Sequence, residues 1–404
     1  SRRLGPQCSR VMPGLMPARP GIDHTDPAKS LLEPYLRIDM LDAAANGPDR
    51  IRSLPRSPGH RAPAWIGFPV TLHNLIGRDR ELAALAELLR SPQSRLITVT
   101  GPGGVGKSRL ATAAAAMCQD AFTEAAFVPL SAVRQPDHVL PTVAHVLGVR
   151  TAADDHLVEG ITQRLQGRRM LLVIDNFEHV LPAASGLADL LEGCPLVTIL
   201  VTSRAPLRLR LEQRFVTPPL DVPASSSGVN LDALADCGAL DLFVERARSV
   251  RADFTLSDRN LAPIAEICRR LDGLPLAIEL AAAWMRVLTP DMLLDRLNQP
   301  LPLLRGGAED QHPRLQTMRD AIAWSYDLLP PDEAAFFRRL SAFIGGFSLP
   351  AAHAVASPAE SCDESACLDL LAALVDKNLV HVIDDETESR FIMLETVREF
   401  GLEI

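Results

Sequence analysis

Residues 101–108 read GPGGVGKS and follow directly on the apolar run Leu96-Ile97-Thr98-Val99-Thr100. Gly101, Gly103, Gly104 and Gly106 let the backbone curl until its N–H groups point inward at phosphate oxygens. An alanine-rich helix from Arg109 to Met117 is expected next, and its N-terminus adds the positive end of a dipole. In such a loop Lys107 reaches the β- and γ-phosphates, and Ser108 holds Mg²⁺. A glycine-rich turn before a helix is the bland alternative. It does not account for the full G-x-x-x-x-G-K-S spacing between a strand and a helix.

The rest of the nucleotide site lies further along the chain. Met170-Leu171-Leu172-Val173-Ile174-Asp175 reads as a buried strand that ends in an acid, as a second Mg²⁺ contact at the C-terminal edge of a parallel sheet requires. An apolar run ending in Asp is a weak signal alone, and its position downstream of Lys107 strengthens it. The next apolar run ends in Thr202-Ser203-Arg204. Polar groups at that strand tip are placed to sense a γ-phosphate, the alternative for Arg204 being a solvated surface arginine. Asn176 follows Asp175, and an amide cannot accept a proton, so any general base comes from elsewhere. Glu178 is the nearest acid, but it lies beyond the strand. Slow turnover is expected.

Strands near 96–100, 126–130, 170–175, 196–201 and 214–217 alternate with helices near 107–118, 136–147, 157–166 and 182–192. This predicts an α/β nucleotide-binding domain over 69–228, with a parallel sheet covered by helices on both faces. A helical domain over 229–317 follows. Its Asp272-Gly273-Leu274-Pro275-Leu276-Ala277 run makes a rigid loop that either covers a base or is only a helix–helix turn. Residues 318–404 read as helices, then strands 379–383 and 390–394, then a helix from Glu395. That order suggests a winged helix. Its turn carries Asp384, Asp385, Glu386 and Glu388, which repel phosphates and argue against direct DNA contact.

The segment 1–68 differs from the remainder. Residues 1–70 hold 11 of the 32 prolines, ten Lys/Arg and six Asp/Glu, with little apolar periodicity. Such sequence is read as a disordered leader or linker. The net charge of −9 argues against a chain that coats nucleic acid. The seven scattered cysteines form no C-x-x-C pair and read as buried thiols. No run of eighteen apolar residues and no signal-peptide core is seen, so a cytoplasmic location and no membrane contact are expected.

The motifs LIGRDREL (75–82), GPGGVGKS (101–108), LLVIDNFEHVL (171–181), VTSRAPLRLR (201–210), EICRRLDGLPLAIELAAA (266–283), AIAWSYDLL (321–329) and FIMLETVREF (391–400) occur in one order. In them the chain resembles STAND-class P-loop NTPases with an NB-ARC-type core, as in bacterial LuxR-type and other large regulators. The resemblance covers about residues 69–404. It implies ATP/ADP and Mg²⁺ as ligands and a nucleotide contact set of Arg78, Gly101, Gly103, Gly104, Val105, Gly106, Lys107, Ser108, Arg109 and Pro275. Arg78 is then near adenine or ribose, Pro275 packs on the base, Asp175 supports Mg²⁺ and Arg204 senses the γ-phosphate.

By the same resemblance the chain is a signalling switch with a closed ADP state and an ATP state that self-associates. It would regulate transcription through a partner or a fused effector or sensor domain. A plain ATPase with steady turnover and a nucleotide-binding scaffold with negligible hydrolysis are the alternatives. Many relatives carry Met-His-Asp where this chain has Met393-Leu394-Glu395, and leucine cannot donate the hydrogen bond that the histidine gives to ADP. The end at Ile404, as a helix begins, reads as a fragment of a longer regulator.

Overall fold

The computed structural model describes residues 64–69, 75–149, 157–223, 237–297, 300–307, 315–356, 364–384 and 389–404. Its six-stranded sheet comprises β1 (Ala64–Ile66), β2 (Leu96–Thr100), β3 (Glu124–Pro129), β4 (Met170–Asp175), β5 (Thr198–Thr202) and β6 (Glu212–Val216). The order is β1-β3-β4-β5-β2-β6, and all pairs are parallel. Every residue of β2 and β4 is buried, as expected of strands covered on both faces.

The two faces are read off the alternation of side chains along those strands. Ile97, Val99, Leu171, Val173 and Leu200 pack with α1 (Asp79–Arg90) and α2 (Lys107–Met117). Leu96, Leu172, Ile174, Ile199 and Val201 pack with α3 (Val139–Val146), α4 (Leu157–Leu165) and α5 (Ala184–Gly193). In α2 the small side chains Ala111, Ala114 and Ala115 are fully buried, so this helix lies close on the sheet. The expected α/β P-loop fold is therefore present.

Beyond the sheet the chain is mostly helical. The helices are α6 (Gly238–Val250), α7 (Asp258–Arg270), α8 (Pro275–Ala282), α9 (Pro290–Arg296), α10 (Met318–Tyr326), α11 (Pro331–Leu340), α12 (Leu349–Ala356), α13 (Glu364–Asp376) and α14 (Glu395–Glu403). Strands β7 (His381–Asp384) and β8 (Ser389–Ile392) form an antiparallel hairpin between α13 and α14. One hydrophobic core takes in Val105 and Leu220 together with residues from Cys237 to Phe400, on both sides of the boundary placed at 317. That boundary is no break in packing.

Two expectations need correction. The leader boundary at 68 is too late, because Ala64–Ile66 form the edge strand β1 on β3. Trp65, packed edge-on against Phe68 with ring centroids 4.2 Å apart, supplies the apolar surface that holds the strand there. Helix α12 lies in a stretch for which no element was expected. Residues 1–63, and the hairpin turn 385–388 with most of its acids, lie outside the described residues.

Candidate functional site

Because the strands are parallel, β2, β4 and β5 present their C-terminal ends along one edge, where ligands bind in open α/β sheets. Strand β5 stands between β2 and β4. The glycine-rich loop, the Asp175 carboxylate and the Thr202-Ser203-Arg204 tip therefore converge.

The loop runs from β2 into α2. Lys107 Nζ donates to the carbonyls of Gly101 and Pro102 at 2.8 and 2.9 Å, so its ammonium lies inside the loop. Gly106 is the N-cap of α2 with φ of 96°, a conformation that favours glycine. A Cβ there would stand in open space. This is the form of a cradle ahead of a helix N-terminus, and it fits an anionic phosphate.

Asp175 is buried at the end of β4. Its carboxylate accepts from Thr202 Oγ1 at 2.6 Å and from Asn176 Nδ2 at 2.8 Å. Ser108 lies in the first turn of α2. A hydroxyl and a carboxylate are hard oxygen donors and suit Mg²⁺, which takes its remaining positions from phosphates and water.

Arg204 is not a solvated surface arginine. It is buried, and its Nε lies 3.3 Å from Glu178 Oε1. Its Nη1 donates to the Ala321 carbonyl at 2.7 Å and to Ser325 Oγ, both on α10. The same nitrogen would stand 3.0 Å from a Cβ at Gly103, so the guanidinium lies against the phosphate loop. Asn378 Nδ2 donates to the Arg204 carbonyl at 2.6 Å. Between Pro102, Gly103, Ser325 and Asn378 a cavity of about 10 Å³ remains, room for one water.

The remaining expected contacts divide into two groups. Arg78 is buried, and its guanidinium donates to Glu81, to the Val105 carbonyl at 3.3 Å and to the Pro219 carbonyl at 3.5 Å. It props the back of the loop. Pro275 opens α8, where the next residue, Leu276, donates its N–H to the Gly104 carbonyl at 3.1 Å. The GLPL turn thus packs on the phosphate loop. Arg109 turns toward α8 and pairs with Glu279 at 3.0 Å, and Arg246 of α6 meets the same carboxylate at 3.2 Å.

Sequence reasoning left Glu178 beyond the strand and gave Ser325 and Asn378 no role. The structure brings all three to Arg204. Ser325 sits in the AIAWSYDLL motif, but nothing local says that α10 reaches β5. Burial pushes the thiols of Cys118, Cys194, Cys237 and Cys268 up, so these cysteines are structural. No helix among the described residues is long and apolar enough to cross a membrane.

Comparison with known proteins agrees with this geometry. The profile of the AAA ATPase domain family matches residues 74–200. A Mycobacterium tuberculosis protein provisionally named as an HTH-type transcriptional regulator, Rv0890c, is 40% identical over 314 residues. That match covers 77% of this chain but 34% of the relative, so the chain spans about a third of that protein's length. An uncharacterized Mycobacterium bovis protein, Mb0918, is 36% identical over 334 residues, 82% of this chain and 81% of its own. Among solved structures, a STAND protein with a tetratricopeptide repeat sensor from Pyrococcus horikoshii is similar, with a TM-score of 0.35 and 16% identity. It is matched over 82% of this chain and 43% of that one, and the likeness is too distant to carry function across. With more than four-fifths of both chains aligned to Mb0918, this protein belongs to the same family, one built on an AAA-type P-loop ATPase domain.

Proposed function

We propose that this chain is an ATP/ADP-dependent signalling switch of the STAND class with an NB-ARC-type core, and that its docked C-terminal region represents the closed state. One observation carries the reading. The buried Arg204 guanidinium lies against Gly103 and is bonded to Ala321 and Ser325 of α10. An arginine expected to meet a γ-phosphate is thus held by the C-terminal region, and the cavity between Pro102, Gly103, Ser325 and Asn378 is water-sized. A third phosphate and α10 compete for one guanidinium. Nucleotide state therefore biases whether the C-terminal region stays docked, which is how a ligand shifts a two-state element.

In this reading the backbone from Gly101 to Gly106, with Val105, wraps the phosphates, and Lys107 swings from its own loop to the β- and γ-oxygens. Ser108 and Asp175 would hold Mg²⁺, which would supply charge neutralisation to the phosphates. Arg78 lies near the adenine or ribose, Pro275 packs on the base, and Arg109 adds a further nucleotide contact. The hairpin and its helices are a winged helix used for packing. Hydrolysis is slow, and release of the C-terminal region exposes surface for self-association. Output is transcriptional, through a partner or an effector domain, in the cytoplasm. The naming of Rv0890c supports that direction.

The test is the nucleotide that the purified protein carries, with Lys107→Ala beside it. About one ADP per chain, lost in the variant, is expected. An empty wild-type site with brisk turnover supports a plain ATPase instead, and no binding at all ends the nucleotide reading.

A further inference from the structure

We propose that Glu178 is the carboxylate that activates the attacking water, standing three positions after Asp175 rather than directly after it. The inference rests on the nucleotide reading above. The residue that directly follows Asp175 is Asn176, whose amide cannot take a proton.

The chain geometry brings Glu178 back to the site. Asn176 has φ of 65° and turns the chain sharply at the end of β4. Asn176 N–H then donates to Thr202 Oγ1, and Phe177 N–H to the Thr202 carbonyl, both at 2.9 Å. The segment therefore crosses the tip of the neighbouring strand β5. Phe177 is fully buried, and His179 Nε2 lies 2.7 and 3.0 Å from the carbonyls of Val133 and Leu130. Glu178 is held between these two anchors. Its side chain is 4% exposed and faces Arg204, whose Nη1 touches the Gly103 side of the phosphate loop.

A buried ion pair used only for stability is a poor explanation. Two desolvated charges gain little over apolar side chains of similar volume. The neighbouring contact to α10 needs no charge pair, since the His179 ring packs on Trp324 with centroids 5.5 Å apart. A carboxylate in this position has a use in chemistry, because the guanidinium that holds it is the one a γ-phosphate draws away.

The step balances as a hydrolysis. Water oxygen attacks Pγ, the bond from Pγ to the bridging oxygen breaks, and its electron pair leaves with ADP. Glu178 takes the water's proton and later releases it to solvent. The products are ADP and inorganic phosphate. While α10 is docked, Arg204 occupies Glu178, and the base and the γ-phosphate contact are withheld together.

The experiment uses the full chain with Mg²⁺ and ATP. Equilibrium ATP binding, single-turnover hydrolysis and the nucleotide retained through purification are measured for wild type, Glu178→Gln and Glu178→Asp. Glu178→Gln is expected to slow hydrolysis by about 10²–10⁴-fold, the usual worth of a general base. ATP affinity stays within a few-fold, and the variant retains ATP where wild type retains ADP. Glu178→Asp, which keeps the charge on a shorter arm, loses less turnover and serves if the amide variant does not fold. Turnover within threefold of wild type in either variant overturns the proposal, as does a parallel loss of binding and turnover. Wild type that binds ATP without turning it over refutes the role of Glu178 alone. Wild type that binds no nucleotide removes the switch reading with it.

Discussion

The carboxylate of Asp272, in the turn before α8, accepts the backbone N–H of Thr396 in the first turn of α14 at 3.4 Å. The helical region thereby caps the helix that starts in the Met393-Leu394-Glu395 stretch. Asp272 thus engages this helix start from outside it.

Burial pushes the Asp272 carboxyl up to about 7, and the charge of Glu395 adds to the rise, while the N–H groups of Thr396 and Glu395 oppose it. Glu399 on the same helix is also raised to about 7, mainly by burial. A carboxyl raised by folding binds its proton more tightly in the native state. Its contribution is complete below the unfolded value of about 4 and is lost as pH climbs through about 7. The share of the stability that these two carboxyls supply is therefore expected to fall from about pH 4 to about pH 7. Asp272→Asn keeps an acceptor and tolerates the φ of 53° at this position. It should raise the stability at pH 8 by on the order of 1–3 kcal/mol and change it little at pH 4. Denaturant melts at the two pH values check this, and an equal effect at both would refute it.

Gly77 and Gly238 touch backbone to backbone. A Cβ at Gly77 would stand 2.4 Å from the Gly238 Cα, and φ at Gly77 is 62°. Gly77→Ala is expected to lose on the order of 1–3 kcal/mol, from both the clash and the left-handed backbone. A melting temperature unchanged from wild type would show that the entry to α1 and the start of α6 separate freely.

Arg95 closes the C-terminal end of α5. Its Nη2 donates to the carbonyls of Leu191 and Cys194 at 2.6 and 2.5 Å, where the helix dipole is negative. Arg95→Met keeps the apolar stem and should cost about 1–2 kcal/mol in chemical denaturation. A change under ~0.3 kcal/mol would mean that water replaces the guanidinium fully.

Ser325 gives Arg204 one of its two contacts on α10. Ser325→Ala weakens the docked arrangement by one hydrogen bond, worth ~1 kcal/mol, and should raise ATP affinity about fivefold. ADP makes no demand on Arg204 and should bind as before. Equal gains for both nucleotides, read by titration, would disconnect α10 from the γ-phosphate.

Most of the sheet and its ligand edge was legible in the chain. The run 96–100, the glycine loop and the strand ending in Asp175 carry their signal within a few consecutive positions, since each depends on local backbone conformation and on burial on both faces. Edge strand β1 was missed because Ala64-Trp65-Ile66, coming straight after a proline-rich stretch, is too short an apolar pattern to stand out. Its partner β3 begins only at Glu124, beyond both α1 and α2.

The sequence by itself determined the phosphate loop, the Asp175 strand and the alternation that makes a parallel α/β sheet. Only the tertiary structure decided what Arg204 does. Its partners are Glu178, from the turn after the preceding strand β4, and Ser325, far downstream on α10. The turn at Asn176 and the docking of α10 join them to it. The same holds for Asp272 and Thr396, which belong to distant parts of the chain. Local motifs are fixed by propensity and spacing, whereas contacts at such separations exist only after the core from Cys237 to Phe400 has closed and placed these helices on the sheet edge.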